Sequence, residues 1–196
     1  MRKLPLALAV LASLSAPLSY AQTNDQVTQS KNQFYAGVDL EFAGSAKASL
    51  GNAKIEDNSD IGFSVVGGYE FSAHKQVKPS LELEYRNFGN TSYSTLSVDA
   101  NAFFVNAKAK LFVLYDFGNV YLAPMIGVGI VNLDVKESSL NMSESESESA
   151  FQAGIEIGTR LANNIDLNLG YKAAYTEIDA VDITLDGFYI GARYAF

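Results

Sequence analysis

One histidine, His74, no cysteine and a scatter of carboxylates are what this 196-residue chain offers to catalysis. A serine nucleophile needs a base at hydrogen-bond distance. His74 falls in a turn, with no serine placed beside it on a neighbouring strand. Glu82 and Glu84 share one face of a strand. Glycosidase chemistry would need an open cleft between two such acids, and Arg86, two residues on, points to ion pairing instead. Ser143-Glu144-Ser145-Glu146-Ser147-Glu148-Ser149 sets carboxylates at alternate positions. Oxygen-seeking Ca²⁺ or Mg²⁺ could gather there weakly, but no glycine-turned twelve-residue calcium loop is present, and the segment reads as a solvated, self-repelling external loop. Gly127-Val128-Gly129 lies inside a strand pattern, away from any strand-to-helix turn, so it carries no nucleotide signal. The lack of cysteine removes disulfides, thiolate metal sites and thiol nucleophiles. No residue is assigned as catalytic, cofactor-binding or metal-ligating.

The elements that carry these residues begin after a leader. Arg2 and Lys3, an apolar run from Leu4 to Leu18, and Ser19-Tyr20-Ala21 make a secretory signal peptide over residues 1–21, cleaved after Ala21. Residues 22–196 then form one domain. Losing Arg2 and Lys3 moves the net charge from −8 to −10. Nucleic acid is excluded as a partner on that balance, since phosphate binding needs clustered Lys and Arg.

From Phe34 the side chains alternate. Phe34, Ala36, Val38, Leu40 and Phe42 oppose Tyr35, Gly37, Asp39 and Glu41. A period of two is a strand between two different surroundings. The pattern recurs about eight times, in strands of about 9–11 residues: near Ile61–Phe71, Ser80–Arg86, Phe103–Val113, Val120–Ile130, Phe151–Arg160, Ile165–Tyr175 and Phe188–Phe196. Pro124 predicts a bulge or ladder gap, because it has no amide to donate. Long connections (Ala43 to Ser59, Phe88 to Ser97, Asp134 to Ser149, Thr176 to Thr184) take turns with short ones (Ser72 to Lys78, Asp116 to Asn119, Ala162 to Asn164). That rhythm predicts a closed up-and-down antiparallel transmembrane β-barrel of about eight strands. Gly118-Asn119 and Asn163-Asn164 suit the positive φ of tight turns.

Alternation does not say which face points inward; a soluble ligand-binding barrel would turn its apolar face in. Two features favour the reverse. Gly37, Gly62, Gly68, Gly127, Gly129, Gly154, Gly158, Gly170 and Gly191 crowd the polar face, as a narrow lumen requires. That face also carries Asp39, Glu41, Glu70, Glu82, Glu84, Glu156 and Asp166 against Arg86, Lys108, Lys110, Arg160, Lys172 and Arg193. Near-neutrality in an acidic chain suits a packed interior, where charges must pair. Phe34, Phe42, Tyr69, Phe71, Tyr85, Tyr175, Tyr194 and Phe196 near strand ends suit interfacial girdles.

The closing segment Tyr189-Ile190-Gly191-Ala192-Arg193-Tyr194-Ala195-Phe196 resembles the C-terminal signal of bacterial outer-membrane barrels, with Tyr189 where a polar residue is usual. The mature chain is similar to small outer-membrane barrels: opacity-type adhesins, the membrane domain of outer-membrane protein A, and the attachment-invasion proteins. The resemblance implies residence in the Gram-negative outer membrane among lipid and lipopolysaccharide, and recognition by the barrel-assembly machinery through the strand ending at Phe196. The chain stops at that strand, so no peptidoglycan-binding domain is expected.

Eight strands enclose an interior just wide enough for side chains. The expected function is therefore non-enzymatic: a barrel with a charge-filled lumen that supports the envelope and meets ligands or surfaces through its loops. The alternative is a small-solute porin or narrow channel, and the third reading a lipid-modifying enzyme. Tyr93, Leu96, Ile55 and Ile178 are loop residues on this reading, and deleting Ser143–Glu148 should leave the barrel stable.

Overall fold

A computed structural model describes residues 32–50, 53–74, 76–93, 96–114, 119–137, 142–161, 164–178 and 181–196. The expected signal peptide, residues 1–21, lies outside them. Nine stretches form one antiparallel sheet: β1 (Gln33–Leu50), β2 (Ala53–Ser59), β3 (Gly62–Glu70), β4 (Val77–Tyr93), β5 (Leu96–Leu114), β6 (Val120–Glu137), β7 (Met142–Arg160), β8 (Ile165–Ile178) and β9 (Val181–Ala195). The order is β2-β1-β3-β4-β5-β6-β7-β8-β9, with β1 also paired to β9. β2 and β3 pair with successive halves of β1, at Gly44–Leu50 and Gln33–Glu41. They are two parts of one barrel position, so the closed barrel has eight strands.

Closure brings β1 and β9 together from Tyr35↔Ala195 to Ser49↔Asp182, with a register shift between Phe42 and Ser45. The shift falls where Ala43 takes a positive φ of 49°. Asn119 and Asn164 adopt φ of 54° and 63° in the short turns, as their type suggests. At Pro124 the ladder to β5 breaks between Lys108↔Met125 and Leu111↔Leu122 without changing register. The ladder to β7 runs through Pro124↔Ile155 unbroken. The gap expected there is therefore confined to one side.

The strands are longer than the alternation of apolar residues suggested. β5 and β7 each run 19 residues and β6 runs 18, where about 9–11 suffice to cross hydrocarbon. The excess lies at the end away from Gln33 and Phe196. It corrects the four long loops: Ala43 to Ser59, Phe88 to Ser97, Asp134 to Ser149 and Thr176 to Thr184 fall largely within paired strands. Ser143–Ser149 is part of β7, laddered to β6 from Lys136↔Ser143 to Ile130↔Ser149. Ile55, Tyr93, Leu96 and Ile178 are likewise strand residues.

The outward face shows where the membrane ends. Phe34 and Phe42, Phe63 and Phe71, Phe188 and Phe196 are three pairs eight residues apart on neighbouring strands. Eight residues rise about 26 Å along a strand, or about 20 Å across a bilayer at the usual tilt. Rings cluster at both levels: Phe34, Tyr69 and Phe71 at one, Phe42, Phe188 and Tyr171 at the other. Beyond the second level the faces swap character. Outward positions become Asn101, Asn132, Ser149, Glu177 and Asp186, while the inward Phe88, Ala100, Ala102, Phe104, Val131, Ala150, Ala174 and Leu185 form a buried apolar cluster. Below the boundary the barrel is greasy outside and ionic inside. Above it, the wall is polar and the core apolar.

Candidate functional site

Among the described residues, charged side chains converge in the lumen, and every inward charge anticipated from the sequence points there. All are buried except Arg160, which stays partly open. Lys78, assigned to a turn by sequence, is also inward, 3.5 Å from Glu70. It evens the inward set to seven acids and seven bases.

They stack in three layers. Nearest the chain termini, Arg160 grips Glu70 through two contacts of 2.9 Å and Asp166 at 2.6 and 2.8 Å. Lys110 joins the same two acids at 2.9 and 2.6 Å. Next come Lys108 between Glu82 and Glu156, at 3.3 and 3.1 Å, and Arg193, 3.4–3.5 Å from Asp39, Glu82 and Glu156. Above them Arg86 clasps Glu41 at 2.8–3.0 Å, while Lys172 meets Glu84 at 2.5 Å and Glu41 at 3.1 Å. Gln152 ties that layer together, accepting from Arg86 at 2.9 Å and donating to Glu84 at 2.7 Å. Charge-assisted bonds of this density offset the cost of taking the ions out of water.

Glycine makes room for the long side chains. Tyr35 faces Gly68, Tyr121 faces Gly158 and Tyr189 faces Gly170 directly across adjacent strands. A Cβ at any of these glycines would collide with the ring. Each ring lies over its glycine and sends its hydroxyl to a carboxylate: Tyr35 to Glu82 at 3.1 Å, Tyr121 to Glu156 at 3.3 Å, Tyr189 to Glu156 at 2.8 Å. Tyr189, the unusual residue of the C-terminal segment, thus belongs to the lumen.

The apolar cluster lies directly above the ions, and Arg86 marks the join by stacking its guanidinium 4.2 Å from the Phe88 ring. Sequence reading missed this layer, although the inward alternation continues into it from Arg86 to Phe88 and from Asn106 through Phe104 to Ala102. His74 is exposed in the turn before β4, where its Nδ1 accepts from the Gln76 amide at 3.2 Å.

A closed barrel with a greasy waist, ionic lumen and two aromatic levels is built for an outer membrane. Residues 6–196 match the outer membrane protein beta-barrel domain family. The chain belongs to that family. It resides in the bacterial outer membrane. No curated protein matches it. Among solved structures it is similar to Neisserial surface protein A, at 15% identity and TM-score 0.57, covering 83% of this chain and 97% of that one. It is similar also to Ail, the attachment invasion locus protein of Yersinia pestis, at 16% identity and TM-score 0.54 over 83% and 98%. A third likeness is to OprG from Pseudomonas aeruginosa, at 10% identity and TM-score 0.50 over 88% and 99%. At such identities these likenesses speak for the fold alone.

Proposed function

We propose that the chain is a non-enzymatic outer-membrane barrel with a sealed lumen, whose projecting strands present a surface for adhesion or ligand contact. One observation carries this reading: ion pairs span the full width of the barrel, and an apolar layer closes the space above them. The neighbouring Ail has been solved in complex with the heparin analogue sucrose octasulfate, which supports ligand contact as a role for a barrel of this shape. The exposed turn position of the lone histidine supports a non-catalytic role. Assembly would proceed through β9, whose end is fixed by the Phe196 amide donating to the Phe34 carbonyl at 2.9 Å.

A narrow channel is the second reading, and one observation favours it. Asp39 Oδ1, Ser80 Oγ, both Asn168 side-chain atoms and Arg193 Nη1 are buried without hydrogen-bond partners. Such atoms call for water. Water there would be stranded beneath the Phe88–Phe104 layer, so the sealed reading is preferred. Single-channel recording in planar bilayers decides between them: the sealed barrel gives no stable conductance, and a reproducible open step overturns it. Attachment of cells with and without the protein to a coated surface tests the display role, which falls if the two attach equally.

A further inference from the structure

The polar groups of the lumen are not satisfied evenly along its axis. In the uppermost ionic layer the side chains of Glu41, Glu84, Arg86, Asn106, Gln152 and Lys172 bond to one another. Among the described residues, the buried atoms without partners lie below that layer. Asp39 Oδ1 and Arg193 Nη1 belong to the middle layer. Asn168 stands on β8 between Asp166 of the lowest layer and Lys172 of the uppermost, and Ser80 stands on β4 between Lys78 and Glu82. Three of these residues meet at one place. Gly191 pairs with Asp39 on β1 and with Asn168 on β8, and the Oδ1 atoms of both crowd the point where its Cβ would stand. Arg193, two residues on, brings its guanidinium to 3.4 Å from the other oxygen of Asp39. The lower end is also the less tightly closed one. Lys78 and Arg160 keep 16% and 14% of their side chains exposed, against 7% or less for the other ion-paired charges of the lumen. Both cations lean on the Phe112 ring, at 5.4 and 5.7 Å. At the upper end the closure is a continuous apolar cluster around Phe88 and Phe104.

We propose that the lower lumen is a one-ended water site. Water enters from the periplasm past Phe112, reaches the hollow between Asp39, Asn168 and Arg193, and goes no further. The inference rests on the sealed-lumen reading above and adds the side from which the lumen is filled. Polarity chooses the occupant. The ionised Asp39 Oδ1 only accepts and Arg193 Nη1 only donates, so a molecule that serves both must itself donate and accept. Water does so in the smallest volume. A bare cation there would meet the Arg193 guanidinium, and an anion would meet the carboxylates of Asp39 and Glu82 that surround that guanidinium at 3.4 and 3.5 Å. Packing chooses the route. From above, water would have to cross the apolar cluster and then part a fully bonded ionic layer, where an unpaired charge is costly. From below, the barrier is one ring and two partly solvated cations on long, flexible stems. Phe112 is thus the lid of a blind vestibule, and Phe88 lies beyond its far end.

The test exploits a chain without cysteine. Two single thiols are placed on β8, Asn168→Cys in the hollow and Ala174→Cys in the apolar cluster, where the parent residues are 7% and 2% exposed. Each protein, in phosphatidylcholine nanodiscs open to solvent at both faces, is treated in chloride-free buffer with silver ion, a thiol reagent close to water in size. Thiols left unblocked are counted by maleimide labelling after unfolding, and heat-modifiable gel mobility checks that each barrel was folded. Silver should block the Asn168→Cys thiol at least tenfold faster than the Ala174→Cys thiol. Adding Phe112→Ala or Lys78→Ala should quicken the reaction at Asn168→Cys at least fivefold further, whereas adding Phe88→Ala should leave it within twofold. The two mouth variants are independent, so a failure of one to fold leaves the other to decide. Equal blocking at the two β8 positions would overturn the proposal. Acceleration by Phe88→Ala as large as that by the mouth variants would overturn it too, by placing the entrance at the cell surface. Conductance keeps the two readings apart: a non-conducting barrel whose Asn168→Cys thiol resists silver loses the vestibule and keeps its seal, and a barrel with a reproducible open step loses the seal.

Discussion

Lys172 of β8 meets Glu84 of β4 at 2.5 Å, although four strand positions separate them on either side of the ring. The pair therefore crosses the whole diameter. Arg160 of β7 and Glu70 of β3 do the same two layers lower, at 2.9 Å. Side chains that touch from opposite walls leave no open core, and they tie strands that share no ladder.

Removing one partner of such a bridge should cost more than removing both. Lys172→Met leaves Glu84 and Glu41 facing each other without their shared cation. Uncompensated buried charge typically costs about 3–5 kcal/mol. Lys172→Met with Glu84→Gln should recover a good part of that loss. Urea unfolding in detergent, followed by the heat-modifiable gel shift, measures both; a double variant weaker than the single one would contradict the bridging role.

Gly67 and Gly68 are adjacent and should respond in opposite ways. A Cβ at Gly67 meets nothing within 4 Å, whereas one at Gly68 collides with the Tyr35 ring. Gly67→Val should gain roughly 0.5–1 kcal/mol, by replacing a flexible residue on a lipid-facing position. Gly68→Val should lose roughly 1–3 kcal/mol through overpacking. The same unfolding assay separates them, and losses of equal size would refute the ring-on-glycine arrangement.

The tight turn at Asn164 offers a third test. Its φ of 63° suits Gly, is tolerated by Asn and strains a branched residue. Asn164→Gly should match or exceed the parent stability, and Asn164→Val should fall about 1–2 kcal/mol below it. A valine variant as stable as the parent would mean that the turn relaxes freely.

How far such features can be read from sequence depends on which solvent lies outside. Within the membrane the rule is constant: Val38, Leu40 and Phe42 outward, Asp39 and Glu41 inward. Alternation, glycine placement and charge balance then converge on the inside-out barrel. At Phe42, Phe103, Ile130 and Phe188 the outer solvent changes from lipid to water, and the rule reverses. Asn101 beside Ala102, Asn132 beside Val131 and Asp186 beside Leu185 still alternate, but with the apolar partner inside. A search for apolar outward residues ends there and reads the rest as loop. Lys78 escapes for a different reason: Pro79 follows it, and proline usually marks the limit of a strand. Here Pro79 pairs with Ala109 near the periplasmic edge, so the ladder continues past it. Contacts across the ring, such as Lys172 to Glu84, depend on strand stagger, which one strand's pattern does not encode.

The acidic stretch in β7 gives the sharpest separation between a loop and a strand. Ser143 to Ser149 faces Lys136 to Ile130 in an unshifted ladder, so its amides should exchange slowly where they bond to β6. A solvated loop of the same composition would exchange within the dead time. Hydrogen exchange on the protein in detergent micelles should show alternate protection through Ser143–Ser149, continuous with Ala150 and Phe151 and weakening toward Met142. The repulsion among Glu144, Glu146 and Glu148 predicts a further sign: protection should rise with added salt, because screening lowers the cost of holding like charges two residues apart. Deleting Ser143–Glu148 would then shorten β6–β7 pairing and expose the edge of β6, lowering stability where a loop deletion would leave it unchanged. Uniformly fast exchange across the stretch would return it to the loop that its composition suggests.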